Sequence, residues 1–251
     1  LDFLEFAEGD PATGKWAAIR SKMGHPEPFH IEYIGVGNEN FGEEYHERFM
    51  KIREAVRKKR PDMKFVYSAG PLPEATDEFP GNGAKGVWRK VGKYKDIIID
   101  EHSYQTPQWF AQQTERFSDF PRDGAGVYYG EYAANGVLGN AARPFDQCNQ
   151  WDTALGEAAF LTGLERNGDF VRMSSYAPLL NLVGSNQWGH NLIDFNPQTV
   201  CLTANYYVLK MFAEHVGDYF LETKGEFPEN IFVSSTTDGK TVFIKLVNRS
   251  K

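Results

Sequence analysis

Apolar residues alternate along this chain between short runs and longer, spaced series. Five short runs begin apolar and turn polar: Ile31 to Gly37, Lys64 to Ala69 (KFVYSA), Lys95 to Tyr104 (KDIIIDEHSY), Gly126 to Ala133 (GVYYGEYA) and Phe170 to Ser175 (FVRMSS). Runs of this length, β-branched or aromatic and closed by turn residues, predict strands. Between them Tyr45, Phe49, Ile52 and Val56 recur at helical spacing in a charged segment that ends at Pro61. A second helical stretch is predicted from about Phe145 to Leu164, stopping at Asn167-Gly168, and a third from Thr203 to His215. Leu1 to Ala7 reads as the end of a helix, with Gly9-Asp10-Pro11 as its stop.

Strands alternating with helices imply βα units and a parallel sheet. The strand starts near 31, 64, 95, 126 and 170 set a unit of roughly 30 residues or a little more, the pace of a (β/α)8 TIM barrel of about 250 residues. Only five such units are present. From about Ile231 the rhythm changes to two alternating strands, IFVSS and TVFIKLV, joined by the hairpin signal Thr236-Thr237-Asp238-Gly239. The expected fold is therefore α/β: about strands 4 to 8 of a TIM barrel over residues 1–222, then the opening of an all-β sandwich over 223–251. An open parallel sheet leaves two edges that need cover. The missing strands are expected from another segment or another chain, with homo-oligomer formation one way to supply them.

Composition narrows the partners. The 251 residues are 41% apolar and 24% charged, and the acidic excess gives a net charge of −7. That balance argues against nucleic acid or an anionic membrane as the main partner and favours a neutral substrate. No apolar run reaches the roughly 18 residues of a membrane span. Cys148 and Cys201 fit no metal spacing and are expected as buried free thiols. The opening residues LDFLEFAEGD show no signal peptide, and with no initiator Met the chain is expected to be a processed or cut segment. A secreted or periplasmic compartment is preferred to a cytoplasmic one.

The stretch YIGVGNENFG first suggests a phosphate loop. Its third glycine comes too late, and the Glu39 carboxylate would repel a pyrophosphate. The alternative is an apolar strand delivering Asn38-Glu39 at its carboxyl end, where barrels keep their chemistry. A second strand ends in Gly130-Glu131, three units further on. A closed barrel would point both glutamates across one mouth, and paired carboxylates are the apparatus of glycoside hydrolysis. His102 and Tyr104 share a face of the intervening strand, since side chains alternate, and both could reach Glu131. Hydrogen bonds to that carboxylate would keep it ionised. Trp109 and Trp188 are candidates for a sugar platform or cleft wall, Trp188 the better one. His25, His30, His46, His190 and His215 form no metal spacing, and no cofactor is needed for this chemistry.

GNE at one strand end, then DEHSYQTPQWF, YGEYAA, SYAPLLNLV and ANYYVLKMF in that order resemble glycoside hydrolase family 51, the α-L-arabinofuranosidases. The resemblance extends from the KW and MGHPEPF segments into the β-domain. It implies a retaining mechanism with Glu39 as general acid/base and Glu131 as nucleophile, and an arabinose-containing carbohydrate as substrate. It further implies that Asn38 binds the hydroxyl beside the anomeric carbon, and that His102 and Tyr104 orient Glu131. Two other readings stay open: a related barrel glycosidase acting on β-glucan or xylan, and a truncated segment that binds carbohydrate without turnover.

Overall fold

The computed structural model describes residues 1–71, 84–135, 147–185 and 188–250. Five parallel strands form one sheet in sequence order: β1 (Tyr33–Val36), β2 (Lys64–Ser68), β3 (Ile97–Tyr104), β4 (Gly126–Ala133) and β5 (Val171–Ser174). Each lies inside the run expected for it. The sheet is open, with β1 and β5 at its edges. The central strand β3 is buried over seven of its eight residues, whereas three of the four residues of β5 are exposed.

The helices are α1 (Asp2–Glu8), α2 (Lys15–Lys22), α3 (Gly42–Arg57), α4 (Ala84–Val91), α5 (Pro107–Gln112), α6 (Trp151–Arg166) and α7 (Ala204–Glu214). The stripe Phe49 and Val56 on α3 packs against Phe65 and Tyr67 of β2 and Ile97 and Ile99 of β3. A second cluster joins Val127, Tyr129 and Tyr132 of β4 to Phe160 and Leu164 of α6. Odd-numbered β3 positions thus face helices; Ile98, Asp100, His102 and Tyr104 face the opposite side, the interior of the curved sheet. α6 begins at Trp151, and the expected start at Phe145 lies outside the described residues.

Two smaller sheets complete the chain. β6 (Leu180–Leu182), β7 (Ile193–Phe195) and β8 (Val200–Leu202) form one, and their three-residue lengths left no pattern to anticipate. β9 (Tyr219–Phe220), β10 (Ile231–Thr237) and β11 (Val242–Asn248) form the other, antiparallel throughout. The expected hairpin is there, but β10 runs on through Thr237, so the turn falls at residues 238–241, where Gly239 has φ 86° and the Asp238 carboxylate accepts from the Lys240 and Thr241 N–H groups. This sheet is tied to α6 by Glu165, which accepts from Lys245 and Ser234 at 2.5 Å each. Neither cysteine forms a disulfide; Cys148 is buried as expected, whereas Cys201, also expected buried, is exposed on the short edge strand β8.

Candidate active site

The two glutamates are positioned by different backbone devices. Beyond β1 the chain passes through Gly37 at φ 83° and reaches Glu39 at φ 53°. A left-handed conformation costs a non-glycine residue roughly 1–2 kcal/mol and clusters at functional sites. Asn40 supports the turn, its Oδ1 accepting from the Asn38 N–H at 3.0 Å. Glu39 is thereby swung back over the sheet, with its side chain 32% exposed.

Glu131 depends on a bulge. β3 and β4 pair Asp100 with Tyr128 and Glu101 with Tyr129, but His102 pairs with Glu131, so Gly130 is the extra residue. Strict alternation from Tyr129, which faces the helices, would send Glu131 to the helix side as well. The inserted residue restores it to the interior face, beside His102; re-aiming a functional side chain is a known use of bulges. Position 130 must be glycine for a second reason: a Cβ there would collide with Asp100 Oδ1.

β3 supplies the groups between them. Tyr104 OH donates to Glu131 Oε2 at 2.6 Å. Burial, then the hydrogen bond to Glu131 and its charge, push the Tyr104 hydroxyl above the usual phenol range, so it stays a donor. His102, 2% exposed, has Nδ1 3.0 Å from Glu39 Oε1 and 3.6 Å from Glu131 Oε2, and Nε2 3.1 Å from Asp100 Oδ2. Burial opposes charge on its ring, but the hydrogen bond and charge of Asp100, the hydrogen bond to Glu39 and the charge of Glu131 outweigh it and raise the pKa to about 9. His102 was expected to serve Glu131; its shorter contact is to Glu39.

A carboxylate oxygen of Glu39, one of Glu131 and a ring nitrogen of His102 all lie within 4.8 Å of one another. Such a spacing could hold a metal ion. A histidine with carboxylates at both nitrogens is, however, doubly protonated and has no lone pair to give. Carboxylate oxygens that approach this closely are compatible with the short carboxyl separation of retaining glycosidases, about 5–5.5 Å.

The remaining expected residues fall on the rim or away from it. Asn38 is exposed at the end of β1, beside Glu39. Trp188 is 40% exposed and reaches the site through His190, whose ring lies 5.8 Å from that of Trp188 and 5.3 Å from that of Tyr104. Burial pushes His190 down to about 4, so this link is neutral. Its backbone is fixed by Tyr176 OH, which donates to the His190 carbonyl at 2.8 Å. Trp109 sits on α5 with the Arg116 guanidinium over its ring at 5.9 Å and packs on the core. Sequence reading missed Asp100, Gly130 and His190. The alternation Asp100-x-His102-x-Tyr104 was the available signal for Asp100; the bulge left none.

Parallel strands with their helices, carrying a close carboxylate pair at the carboxyl ends, define part of a (β/α) barrel with a paired-carboxylate site. Residues 1–122 match the family model of the alpha-L-arabinofuranosidase 1 domain, and residues 129–246 that of the alpha-L-arabinofuranosidase C-terminal domain. An extracellular exo-alpha-L-arabinofuranosidase of Streptomyces chartreusis is 39% identical over 89% of this chain and 25% of its own length. Alpha-L-arabinofuranosidase 2 of Arabidopsis thaliana is 33% identical over 99% of this chain and 34% of its own. The arabinose-bound structure of MgGH51 α-L-arabinofuranosidase superposes with a TM-score of 0.79 at 30% identity, covering 98% of this chain and 38% of that one. An arabinose complex of the Thermotoga maritima enzyme, at 18% identity over 98% of this chain and 57% of that one, shares the fold with a TM-score of 0.73. The chain belongs to the α-L-arabinofuranosidases of glycoside hydrolase family 51. It spans a quarter to a third of the length of these two curated relatives, and its open sheet is part of their barrel.

Proposed function

We propose that this chain carries the catalytic pair of a retaining glycoside hydrolase that removes α-L-arabinofuranosyl residues from arabinose-containing polysaccharides or oligosaccharides of hemicellulose. The observation that carries the reading is the approach of Glu39 and Glu131 within 4.8 Å, with Tyr104 OH 2.6 Å from Glu131. In a double displacement, Glu131 attacks the anomeric carbon while protonated Glu39 gives its proton to the departing oxygen. An arabinosyl ester on Glu131 results. Glu39, now a carboxylate, takes a proton from water as that water attacks the anomeric carbon and breaks its bond to Glu131, and arabinose leaves with its configuration retained. Tyr104 holds the attacking oxygen in place, and its hydrogen bond favours the ionised form. Asn38 is assigned to the sugar hydroxyl next to the reacting carbon, and Trp188 to the wall of the cleft. The chemistry calls on no cofactor.

We place the division between barrel part and β-domain at about residue 222; the pairing of β9 with β10 supports a boundary a few residues earlier. The strands that close the barrel would come from another segment of the same protein or from another chain, and the exposed edge strand β5 supports that need. A secreted location draws support from the relative named extracellular. Among the described residues no helix is long and apolar enough to cross a membrane.

The test is release of an aryl leaving group from an α-L-arabinofuranoside by the chain and by its Glu131→Gln variant, beside an aryl β-glucoside and β-xyloside. The reading predicts arabinofuranoside turnover that the substitution abolishes. Turnover surviving Glu131→Gln would overturn the residue assignment, and turnover of the β-xyloside alone would overturn the substrate class. Turnover that appears only when the rest of a barrel is supplied would make the missing strands a required part of the site.

A further inference from the structure

Asp100 belongs to no role assigned above, yet the site is built around it. Its side chain is 9% exposed, and Oδ1 is buried with no hydrogen-bond partner among the described residues. Oδ1 occupies the space that Gly130 leaves open, so the bulge that aims Glu131 also makes room for this carboxylate. Among the described residues the one side-chain hydrogen-bond partner of Asp100 is His102 Nε2 at 3.1 Å. A buried carboxylate so poorly hydrated needs a cation beside it.

His102 has the geometry of that cation. Each ring nitrogen faces a carboxylate, Nε2 facing Asp100 and Nδ1 facing Glu39 at 3.0 Å and Glu131 at 3.6 Å. Ionised carboxylates only accept, so Nε2 carries hydrogen toward Asp100, and Nδ1 carries one toward whichever of Glu131 and Glu39 is ionised. With Nε2 committed to Asp100, the Nδ1–H is the donor left to the mouth of the site. It is in hydrogen-bond contact with Glu39 at 3.0 Å, and Glu131 Oε2 at 3.6 Å is a small shift away.

Resting on the double displacement proposed above, we propose that Asp100 is a positioning residue: it fixes His102 as a permanent cation whose Nδ1–H serves Glu131 and Glu39 in turn. Negative charge changes sides during the reaction. Before the first step Glu131 is ionised and Glu39 protonated; once the ester has formed and the proton has left with the departing group, Glu131 is neutral and Glu39 ionised. Hydrolysis of the ester returns the charge to Glu131 and the proton to Glu39. At each stage the imidazolium meets one ionised carboxylate at the mouth, and a small shift of one hydrogen bond follows the charge. His102 neither gains nor loses a proton, so it stabilises both half-reactions and takes part in the proton transfer of neither. Gly130 is the space that lets the anchor approach.

The titratable groups around this ring are Asp100 and Tyr104 from β3, Glu131 from β4 and Glu39 beyond β1, with Tyr45 of α3 sensing Asp100 from outside. Nitrogen-resolved NMR of the histidine rings tests the proposal without needing turnover. In the unmodified chain at pH 7 both ring nitrogens of His102 should be protonated, and the ring should lose its proton only well above pH 8. In Asp100→Asn that titration should move down by at least about one unit, since an ionic partner of a buried group typically shifts a pKa by about 1–3 units. A His102 that is neutral at pH 7 in the unmodified chain overturns the proposal even where the variant does not fold. So does an unmoved titration in a folded Asp100→Asn. Where turnover is measured, the alkaline limb of kcat/KM should move with the ring, whereas a purely structural anchor would lower the rate and leave the limb in place. A ring that behaves as expected in a protein with no arabinofuranosidase activity would uphold the anchor and remove the functional reading, so the two fail separately.

Discussion

The carboxyl ends of β1 and β4 solve one problem in two ways. β1 is an edge strand of four residues, and Glu39 lies beyond its end on a left-handed turn, exposed enough to meet solvent. β4 pairs with β3 along its length and with β5 at Val127 to Tyr129, and Glu131 lies within it, re-aimed by the bulge at Gly130 and gripped by Tyr104. The difference suits the roles proposed. A nucleophile gains from a rigid seat inside the sheet, whereas an acid/base that meets both leaving group and water is carried on a strand end; the two side chains are about equally open, 32% and 28% exposed.

The largest effect should separate the two glutamates themselves. Glu131→Gln is expected to lower arabinofuranoside turnover by more than about ten thousandfold, because no covalent intermediate can form. Glu39→Gln should cost about a hundredfold to ten thousandfold on substrates with a poor leaving group, the usual range for general acid–base catalysis. Kinetics on a series of leaving groups would show this loss shrinking as the leaving group improves for Glu39→Gln, and staying put for Glu131→Gln. Equal losses across the series would erase the distinction.

The next effect compares two glycines. Gly130→Ala should destabilise by about 1–3 kcal/mol, as overpacking does, because the new Cβ meets Asp100 Oδ1. Gly35→Ala on β1 enters open space and should stay within about 0.5 kcal/mol of the parent. Denaturant midpoints read both, and a Gly130→Ala that is as benign as Gly35→Ala would contradict the crowding at the bulge.

His102 sets a pH dependence. Its folded pKa of about 9 lies above the ordinary histidine value, so the folded state holds its proton more tightly. The associated stability, on the order of 3 kcal/mol, should be fully present below about pH 6.5 and be lost as pH rises through about 9. Denaturation of His102→Gln should lack that decline. Glu157 adds a separate one: fully buried in α6 and accepting from the Ala134 N–H, it is pushed by burial to about 8, so its share falls away between about pH 4.5 and 8. Glu157→Gln isolates that share. Tyr104→Phe removes one hydrogen bond to a charged group and should cost about 1.5–3 kcal/mol of transition-state stabilisation, read from kcat/KM.

Much of this was legible in the residues. The five strands were readable because buried parallel strands are apolar runs that turn polar only at the functional end, as IIIDEHSY does. Helices α3 and α7 showed their stripes. α2, α4 and α5 did not, being eight residues or shorter, and the three-residue strands β6 to β8 fall below any period. At the site, Glu39, Glu131, His102 and Tyr104 could be named from strand ends and alternation. Gly130 could not, because a bulge is a departure from alternation and alternation was the only ruler. Asp100 stayed hidden for a related reason: its importance lies in the space above a glycine on the next strand.

The most direct test of the account is to trap the covalent intermediate with a slowly hydrolysed fluorinated α-L-arabinofuranoside and map the modified carboxylate by mass spectrometry. The account predicts a single arabinosyl ester on the peptide that contains Glu131, with configuration retained in the product. An ester on Glu39 or on any other carboxylate, or product of inverted configuration, would contradict it.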